Sequence, residues 1–421
     1  MSKKDNVAAV PKYRFPEFAL DASIDYVAGG VIFDPITNRN HHADLPILAI
    51  TQEYGAIPRD EIDYKVSVTK KSLKAYKIVE KGDFIISLRS FQGGIEYSMY
   101  DGICSPAYII LRKKTNIIDQ YYKYYFKSHR FIQDLNKDLE GIRDGKMISY
   151  GQFSSILLPK PDEEEQQKIA DCLSSIDDLI SVEEKKLSLL NDYKKGWVQK
   201  LFPGEGKTVP EWRFPEFRDS GEWKTTSLGE ICGVLNGVGF PIKMQGNSIG
   251  KYSFFKVSDI SNAVMNNGGI LLKAANCIDD NVLLKLRAKT IPRGTTVFAK
   301  IGEALRLNRR AITSEECLID NNVIGVKAKP KKADDYFIFL LLQLIDLERY
   351  CGGVIPSVKK TVIEEIEVSF ISDLKEQQKI ADFISGLVQL IRKQTDKIEA
   401  LKQHKKALMQ GLFPSIEEVY K

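Results

Sequence analysis

Apolar residues recur four and three apart along two long stretches of this chain. In the first, Ile169, Leu173, Ile176, Ile180, Leu187, Leu190, Trp197 and Leu201 keep that spacing with two turns skipped. In the second, Ile380, Ile384, Leu387, Ile391, Ile398, Leu401, Leu408 and Leu412 do the same. A 3.5-residue apolar repeat is a heptad seam, which predicts one long helix over residues 162–203 and another over 373–414. The interruptions match as well: Glu183 and Lys194 on the first seam correspond to Gln394 and Lys405 on the second. Both stretches open on Asp-x-x-Glu (Asp162 and Glu165, Asp373 and Glu376). That is a capping-box-like start, with acid at the positive end of the helix dipole. Both run into proline, Pro203 and Pro414, which cannot continue a helix.

The two stretches are copies of each other. Glu376–Pro414 repeats Glu165–Pro203 without a gap, 211 residues later, with 18 of 39 positions identical. A shorter echo pairs PKYRFPEF at Pro11–Phe18 with PEWRFPEF at Pro210–Phe217, 199 residues apart. The layout is variable region, repeat, variable region, repeat. An amphipathic helix this long, on the order of 60 Å, needs cover for its stripe, and the other copy is the natural partner. Residues 162–203 carry 6 basic and 10 acidic groups, residues 373–414 carry 8 and 5, and opposite signs favour pairing. Through the short linker Gly204–Val209 the second helix can return antiparallel with every connection short. The expectation is a quasi-cyclic, pseudo-two-fold tandem repeat, with two globular domains at opposite ends of a helical rod. Its alternative is a pair of helices packed separately on their own domains.

Residues 1–161 and 204–372 read as mixed α/β, and residues 415–421 as a tail. Asp83–Leu88, Tyr108–Leu111 and Thr296–Ala299 are β-like runs bounded by glycine turns. Tyr121–Leu139 and Asp335–Arg349 are helical, with Gly141 and Gly352 just beyond them. Lys81-Gly-Asp-Phe-Ile-Ile86 and Arg293-Gly-Thr-Thr-Val-Phe298 correspond, so a shared scaffold underlies diverged sequences. A loop follows each of these strands: Ser87–Gly94, with Arg89 and Gln92, and Lys300–Arg310, with Lys300, Arg306, Asn308, Arg309 and Arg310. Arginine forks onto guanine edges or phosphates, Gln and Asn pair with adenine, and glycine lets backbone approach closely. An ordinary solvated loop is the alternative for each residue. The tyrosines of Tyr121–Phe126 could stack on bases, but at helical spacing they fit a core better.

Composition narrows the class. The chain has 421 residues, 43% hydrophobic, with net charge +5. The positive balance lies in the two variable regions, where basic groups outnumber acidic ones by 23 to 19 and by 23 to 20. Six scattered cysteines without a CxxC fit reduced thiols in a cytoplasmic protein rather than a zinc or disulfide framework. No apolar run approaches the ~20 residues of a membrane helix, and no leader-like stretch opens the chain. Gly204–Thr208 imitates the end of a phosphate loop, but Leu201 stands where the first glycine belongs. His41 and His42 are adjacent and point apart, while His129 and His404 stand alone. No catalytic constellation assembles.

The two EQQKIA-started helices, the GDFII stretch and IGEALRLNRRA, set between two diverged domains, resemble the specificity subunit of type I restriction–modification systems. The resemblance spans essentially the whole chain. It implies two α+β target-recognition domains separated by two long antiparallel coiled-coil helices, each domain reading one half of a gapped, asymmetric site on double-stranded DNA. It further implies two docked modification (adenine methyltransferase) subunits and a motor endonuclease subunit. S-adenosylmethionine, ATP and Mg2+ belong to those partners, with no cofactor and no catalytic residue in this chain. Phosphate contacts are then expected from Lys70, Lys71, Lys74 and Lys77, and base reading from the two arginine loops. The rivals are a coiled-coil scaffold that binds only proteins and a self-contained methyltransferase. The missing cofactor and base-binding motifs speak against the latter.

Overall fold

In a computed structural model of the chain, residues 8–21, 23–41, 45–62, 70–137, 148–352 and 355–414 are described. The chain divides into two compact units, one of Met1–Val182 with Ile398–Lys421, the other of Glu183–Lys397. The two seams fold as single helices, Glu163–Leu201 and Leu374–Leu412, and each ends two residues before its proline. Each helix contributes one half to each unit rather than forming a separate body. Within the first unit Ile169 and Leu173, early in the first long helix, share a core with Leu412 and Phe413 at the end of the second. Within the second unit Val198 and Leu201, late in the first, share a core with Ile380 and Ile384, early in the second. The pairing is therefore antiparallel in both units.

The matched interruptions have a physical use. Gln394 donates through Nε2 to Glu183 Oε2 at 2.6 Å and to the Glu183 carbonyl at 3.0 Å, so the two seam positions that correspond in the repeat meet each other. Lys397 caps the same carboxylate. These contacts hold the Glu183 carboxyl below the usual range, the Lys397 hydrogen bond contributing most. Lys405 Nζ meets Asp177 Oδ1 at 2.6 Å in the first unit.

The PKYRFPEF and PEWRFPEF echoes explain how the ends of the helix pair are held. Arg14 donates two parallel hydrogen bonds of 2.8 Å, from Nε and Nη2, to the carboxylate of Glu165 at the start of the first long helix. Arg213 grips Glu376 at the start of the second in the same way, at 2.7 and 2.6 Å. Both pairs are buried, the second almost completely. The residue before each arginine ties the opposite helix. Tyr13 N–H donates to the Gly411 carbonyl at 2.8 Å, and Trp212 N–H to that of Lys200 at 3.0 Å. A side chain at Gly411 would run into the Tyr13 ring, whose nearest atom lies 2.0 Å from where a Cβ would sit. Each echo therefore staples the beginning of one long helix to the end of the other. Half of the capping-box expectation stands, with Asp373 Oδ1 accepting from Lys375 N–H at 2.8 Å, but Glu165 and Glu376 face an arginine instead of the N-cap N–H. The next residue splints helix to domain. Gln166 accepts from Ile118 N–H at 2.9 Å and donates to the Pro161 carbonyl, and Gln377 accepts from Asp334 N–H at 2.8 Å and donates to the Ile371 carbonyl.

Each unit builds one scaffold on this base. A strand pair lies next to the helices, Ile24–Ala28 with Leu157–Lys160 in the first unit and Lys224–Ser227 with Glu367–Phe370 in the second. An antiparallel sheet follows, in the order Phe33–Ile36, Ile109–Lys113, Phe84–Ile86, Glu96–Tyr97. Its counterpart runs Cys232–Asn236, Val323–Ala328, Thr296–Ala299, Ala311–Thr313, with Ile270–Leu271 added in parallel at the edge. The turn glycines ahead of the two central strands, Gly82 and Gly294, both adopt positive φ, which only glycine takes without strain.

Two expected helices are shorter than their apolar pattern. Tyr121–Leu139 is split into Asp119–Tyr125 and His129–Asn136, because Ser128 takes an extended backbone and caps the second piece by accepting from Phe131 N–H. Residues 138–147, including Gly141, lie outside the described residues, as does the 415–421 tail. Asp335–Arg349 is α-helical only to Gln343, with a 3-10 turn at Leu347–Tyr350. Tyr121, Tyr122, Tyr124 and Tyr125 are all buried in the first unit's core, with Tyr121 edge-on to Phe413, and none is open to a base.

Replacing Glu376 by Ala strands Arg213 in the interior and should lower unfolding free energy by about 3 kcal/mol, measured by urea denaturation. A second expectation concerns pH. A carboxyl whose folded pKa is depressed stabilises the fold above its unfolded value, about 4.3, and that contribution is lost as pH falls through the folded value. Between pH 6 and pH 3 the wild type should therefore lose more thermal stability than Glu183→Gln. Parallel melting curves over that interval would show otherwise.

Candidate nucleic-acid interface

The two loops singled out by residue type leave corresponding strands and turn in the same way. After Phe84–Ile86, Ser90 Oγ accepts from Ser87 N–H at 2.8 Å and opens a single helical turn, Ser90–Gly93. Gly94 closes it at φ 79°, under the Phe126 carbonyl, with no room for a side chain. Arg89 and Gln92 both stand exposed on this turn. After Thr296–Ala299, Gly302 at φ 77° donates to the Pro356 carbonyl and opens the turn Glu303–Arg306. Arg306 is exposed and held between Glu303, at 2.9 Å, and Glu348, at 3.3 Å. Lys300, at the strand end, is half-buried, its backbone paired with Asn322 and Val358.

The rest of the second loop turns inward, which corrects two expectations. Arg310 is only 3% exposed; its guanidinium lies 4.9 Å from the centre of the Phe298 ring and donates to the Ile345 carbonyl at 3.0 Å and to Asn308 Oδ1 at 2.8 Å. Burial pushes the Arg310 pKa down to about 10, against the opposing pull of Asp346. Asn308, at φ 54°, spends its amide on Arg310, Ile345 and Leu347 N–H. Neither side chain is free to meet a base edge. They are braces that fix the end of the turn on which Arg306 stands. Arg309 is half-buried and lines a cavity rather than the outer surface.

The lysine cluster divides too. Lys74 is exposed, but Lys77 is 8% exposed, donates to the Tyr108 carbonyl at 2.6 Å, and is held by burial below the ordinary lysine range. A buried ammonium bonded to backbone cannot contact a phosphate. The Lys70 and Lys71 side chains lie outside the described residues.

A basic groove that residue type alone does not reveal lies in the first unit. It measures about 520 Å³ and brings Lys127 and Arg130 together with Lys402, Lys405 and Lys406 of the second long helix, over Met409 and Phe413. The signal was visible as Lys402, Lys405 and Lys406 at helical spacing, but only the fold brings Lys127 and Arg130 beside them. Exposed Tyr54, Ile242 and Ile249 stand at loop positions that carry no sequence signature. No helix among the described residues is long and apolar enough to cross a membrane.

One scaffold used twice, with an exposed arginine on the same turn and different neighbours around it, defines a protein that presents two unlike recognition surfaces. The family model of the type I restriction modification DNA specificity domain matches residues 32–192 and again 220–403, and the chain belongs to that family. It is a type I restriction–modification specificity subunit with two target-recognition domains. Similar curated proteins include the MjaVIII specificity subunit of Methanocaldococcus jannaschii, a type I restriction enzyme subunit, 26% identical over 366 residues, spanning 82% of this chain and 81% of the relative. The MjaIX specificity subunit of the same organism is 24% identical over 376 residues, 86% of this chain and 83% of the relative. Among solved structures, the S subunit of the type I system from M. genitalium superposes with a TM-score of 0.57 at 14% identity, covering 96% of this chain and 99% of that one. A chain from a structural study of type I complex assembly and conformational transition gives 0.57 at 14% identity, over 92% and 97%. These likenesses establish the shared fold.

The split between buried brace and exposed arginine has a measurable consequence. Arg310→Ala removes the guanidinium's hydrogen bonds to the Ile345 carbonyl and Asn308 Oδ1 and empties its place against Phe298, and should cost about 1–3 kcal/mol of stability, while Arg306→Ala, at the surface, should change the melting temperature little. Equal losses in calorimetry would contradict this division.

Proposed function

We propose that each target-recognition domain reads one half of a gapped, asymmetric double-stranded DNA site, and that the two long helices set the distance between the halves and dock two modification subunits. The observation that carries this is the repeated turn after a repeated strand, with Arg89 and Gln92 on one and Arg306 beside Lys300 on the other. Arginine can fork onto guanine and glutamine onto adenine, so unlike turns select unlike half-sites. Readers joined by a fixed element contact half-sites about one helical turn (~34 Å) or a multiple apart, so spacing enters the specificity. Lys74 and, in the basic groove, Lys402 and Lys406 would meet phosphates, which orient the complex without reading sequence.

The chain would act as a non-catalytic subunit in the cytoplasm. Adenine methyl transfer, with S-adenosylmethionine, falls to the modification subunits, and ATP- and Mg2+-dependent translocation and cleavage to a motor endonuclease subunit. The paired charge and apolar cover of the long helices suit protein docking as well. A scaffold that binds only proteins would share that property, but it would not need two exposed arginine turns on one scaffold.

The test is an electrophoretic shift with the assembled methyltransferase complex and its bipartite site, found by methylation-aware sequencing. Arg89→Ala and Arg306→Ala should each weaken binding about tenfold, and each should relax preference in one half-site only. Unchanged affinity and unchanged preference in both variants, or no bipartite methylation motif, would leave the protein-only scaffold standing.

A further inference from the structure

The inward half of the second loop encloses a cavity of about 380 Å³ in the second unit. Its wall includes Arg309, Arg310, Tyr336, Lys194 from the first long helix and Val388 from the second, with no aspartate or glutamate among its lining residues. Arg310 is buried, and its Nε has no hydrogen-bond partner; the Tyr336 hydroxyl, likewise sealed from solvent, has none either. Lys194 is half-buried, and burial holds its ammonium below the ordinary lysine range. Three cations around one void that no carboxylate lines are costly unless an anion answers them.

The other copy of the repeat supplies an internal control. Lys405 occupies in the first unit the repeat position that Lys194 holds in the second, 211 residues earlier. There Asp177 binds the ammonium at 2.6 Å, and the Tyr124 ring covers it at 5.0 Å. The repeat position of Asp177 is Val388 in the second copy, so the carboxylate is replaced by an apolar wall while the lysine is kept. The first unit neutralises its lysine with its own acid; the second leaves that place open.

We propose that the cavity around Lys194, Arg309, Arg310 and Tyr336 is a binding site for a phosphate-bearing anion of mononucleotide size. The phosphoryl group meets Lys194 and Arg309, and the charge of the buried Arg310 adds to the attraction. Charge-assisted bonds of this kind are the strong ones, and arginine is suited to phosphate. The remaining wall, with Phe339, Leu340, Ile384 and Val264, is apolar and aromatic, which suits an attached base rather than a bare inorganic ion. The volume falls in the usual range of small-molecule sites. The phosphoryl group can come from a free nucleotide or from the DNA backbone, and the experiment separates the two.

Full-length protein is titrated calorimetrically with AMP, with inorganic phosphate and with a short duplex, each against chloride at matched ionic strength. The same titrations are run on Lys194→Met and on Val388→Asp, which plants the acid found at Asp177. Both variants should bind AMP about tenfold more weakly or worse, with Val388→Asp keeping the wild-type melting temperature or exceeding it. If AMP and phosphate fail to bind but duplex affinity falls by that factor in both variants, the phosphoryl group belongs to DNA and the site stands. Absence of binding to all three probes, or binding that neither variant alters, overturns the proposal. Because one substitution removes the cation and the other adds a competing anion, a folding defect in either alone does not mimic the result.

Discussion

The structure depends on a buried arginine–carboxylate pair formed twice, Arg14 with Glu165 and Arg213 with Glu376. Two desolvated charges are tolerable only because each guanidinium meets both carboxylate oxygens, and removing either partner leaves an uncompensated ion in the interior. Each pair also fixes geometry. The segment that carries the arginine binds the opposite helix through Tyr13 or Trp212 on the residue before it, so one short motif holds the start of one helix and the end of the other. Gln166 and Gln377, the next residues on the long helices, then fasten each recognition domain to this frame. A sequence-reading protein needs its readers at fixed positions, and these three residue types supply that constraint at both ends.

On that frame the two domains keep backbone and change surface. The sheet order, the positive-φ glycines before the central strand and the single helical turn after it recur, while the exposed side chains differ. Backbone hydrogen bonding and core volume constrain the shared parts. A solvent-facing side chain on a rigid turn is constrained by neither, so it can change without loss of fold. The same freedom operates where the helices meet the domains: a lysine kept in both copies faces Asp177 in one and Val388 in the other, giving two local electrostatic states to one architecture.

The heptad seams, the duplication and the α/β character were legible from periodicity and repetition, since they rest on side-chain burial along a helix or strand, which leaves a regular trace. The RFPEF echo was legible as a pattern but not as a clamp, because its partner lies 151 residues away in one case and 163 in the other. The candidate site was legible at the level of the loops. Arg89, Gln92 and Arg306 are exposed on their turns, while Arg310 and Lys77, chemically indistinguishable from exposed cations in a linear chain, are buried braces. The helix at Tyr121–Leu139 broke because Ser128 found a better use as a cap than as a helical residue.

By itself the sequence determined the two long helices, their stop points and the twofold repetition of one domain type, because each follows from local spacing or composition. Which arginine faces water, which carboxylate meets which guanidinium, and whether a lysine lies beside an acid or a valine were decided only by the tertiary structure. These depend on contacts between residues far apart in the chain. A charged side chain's role is set by the dielectric and the partners around it, and neither is written in its identity.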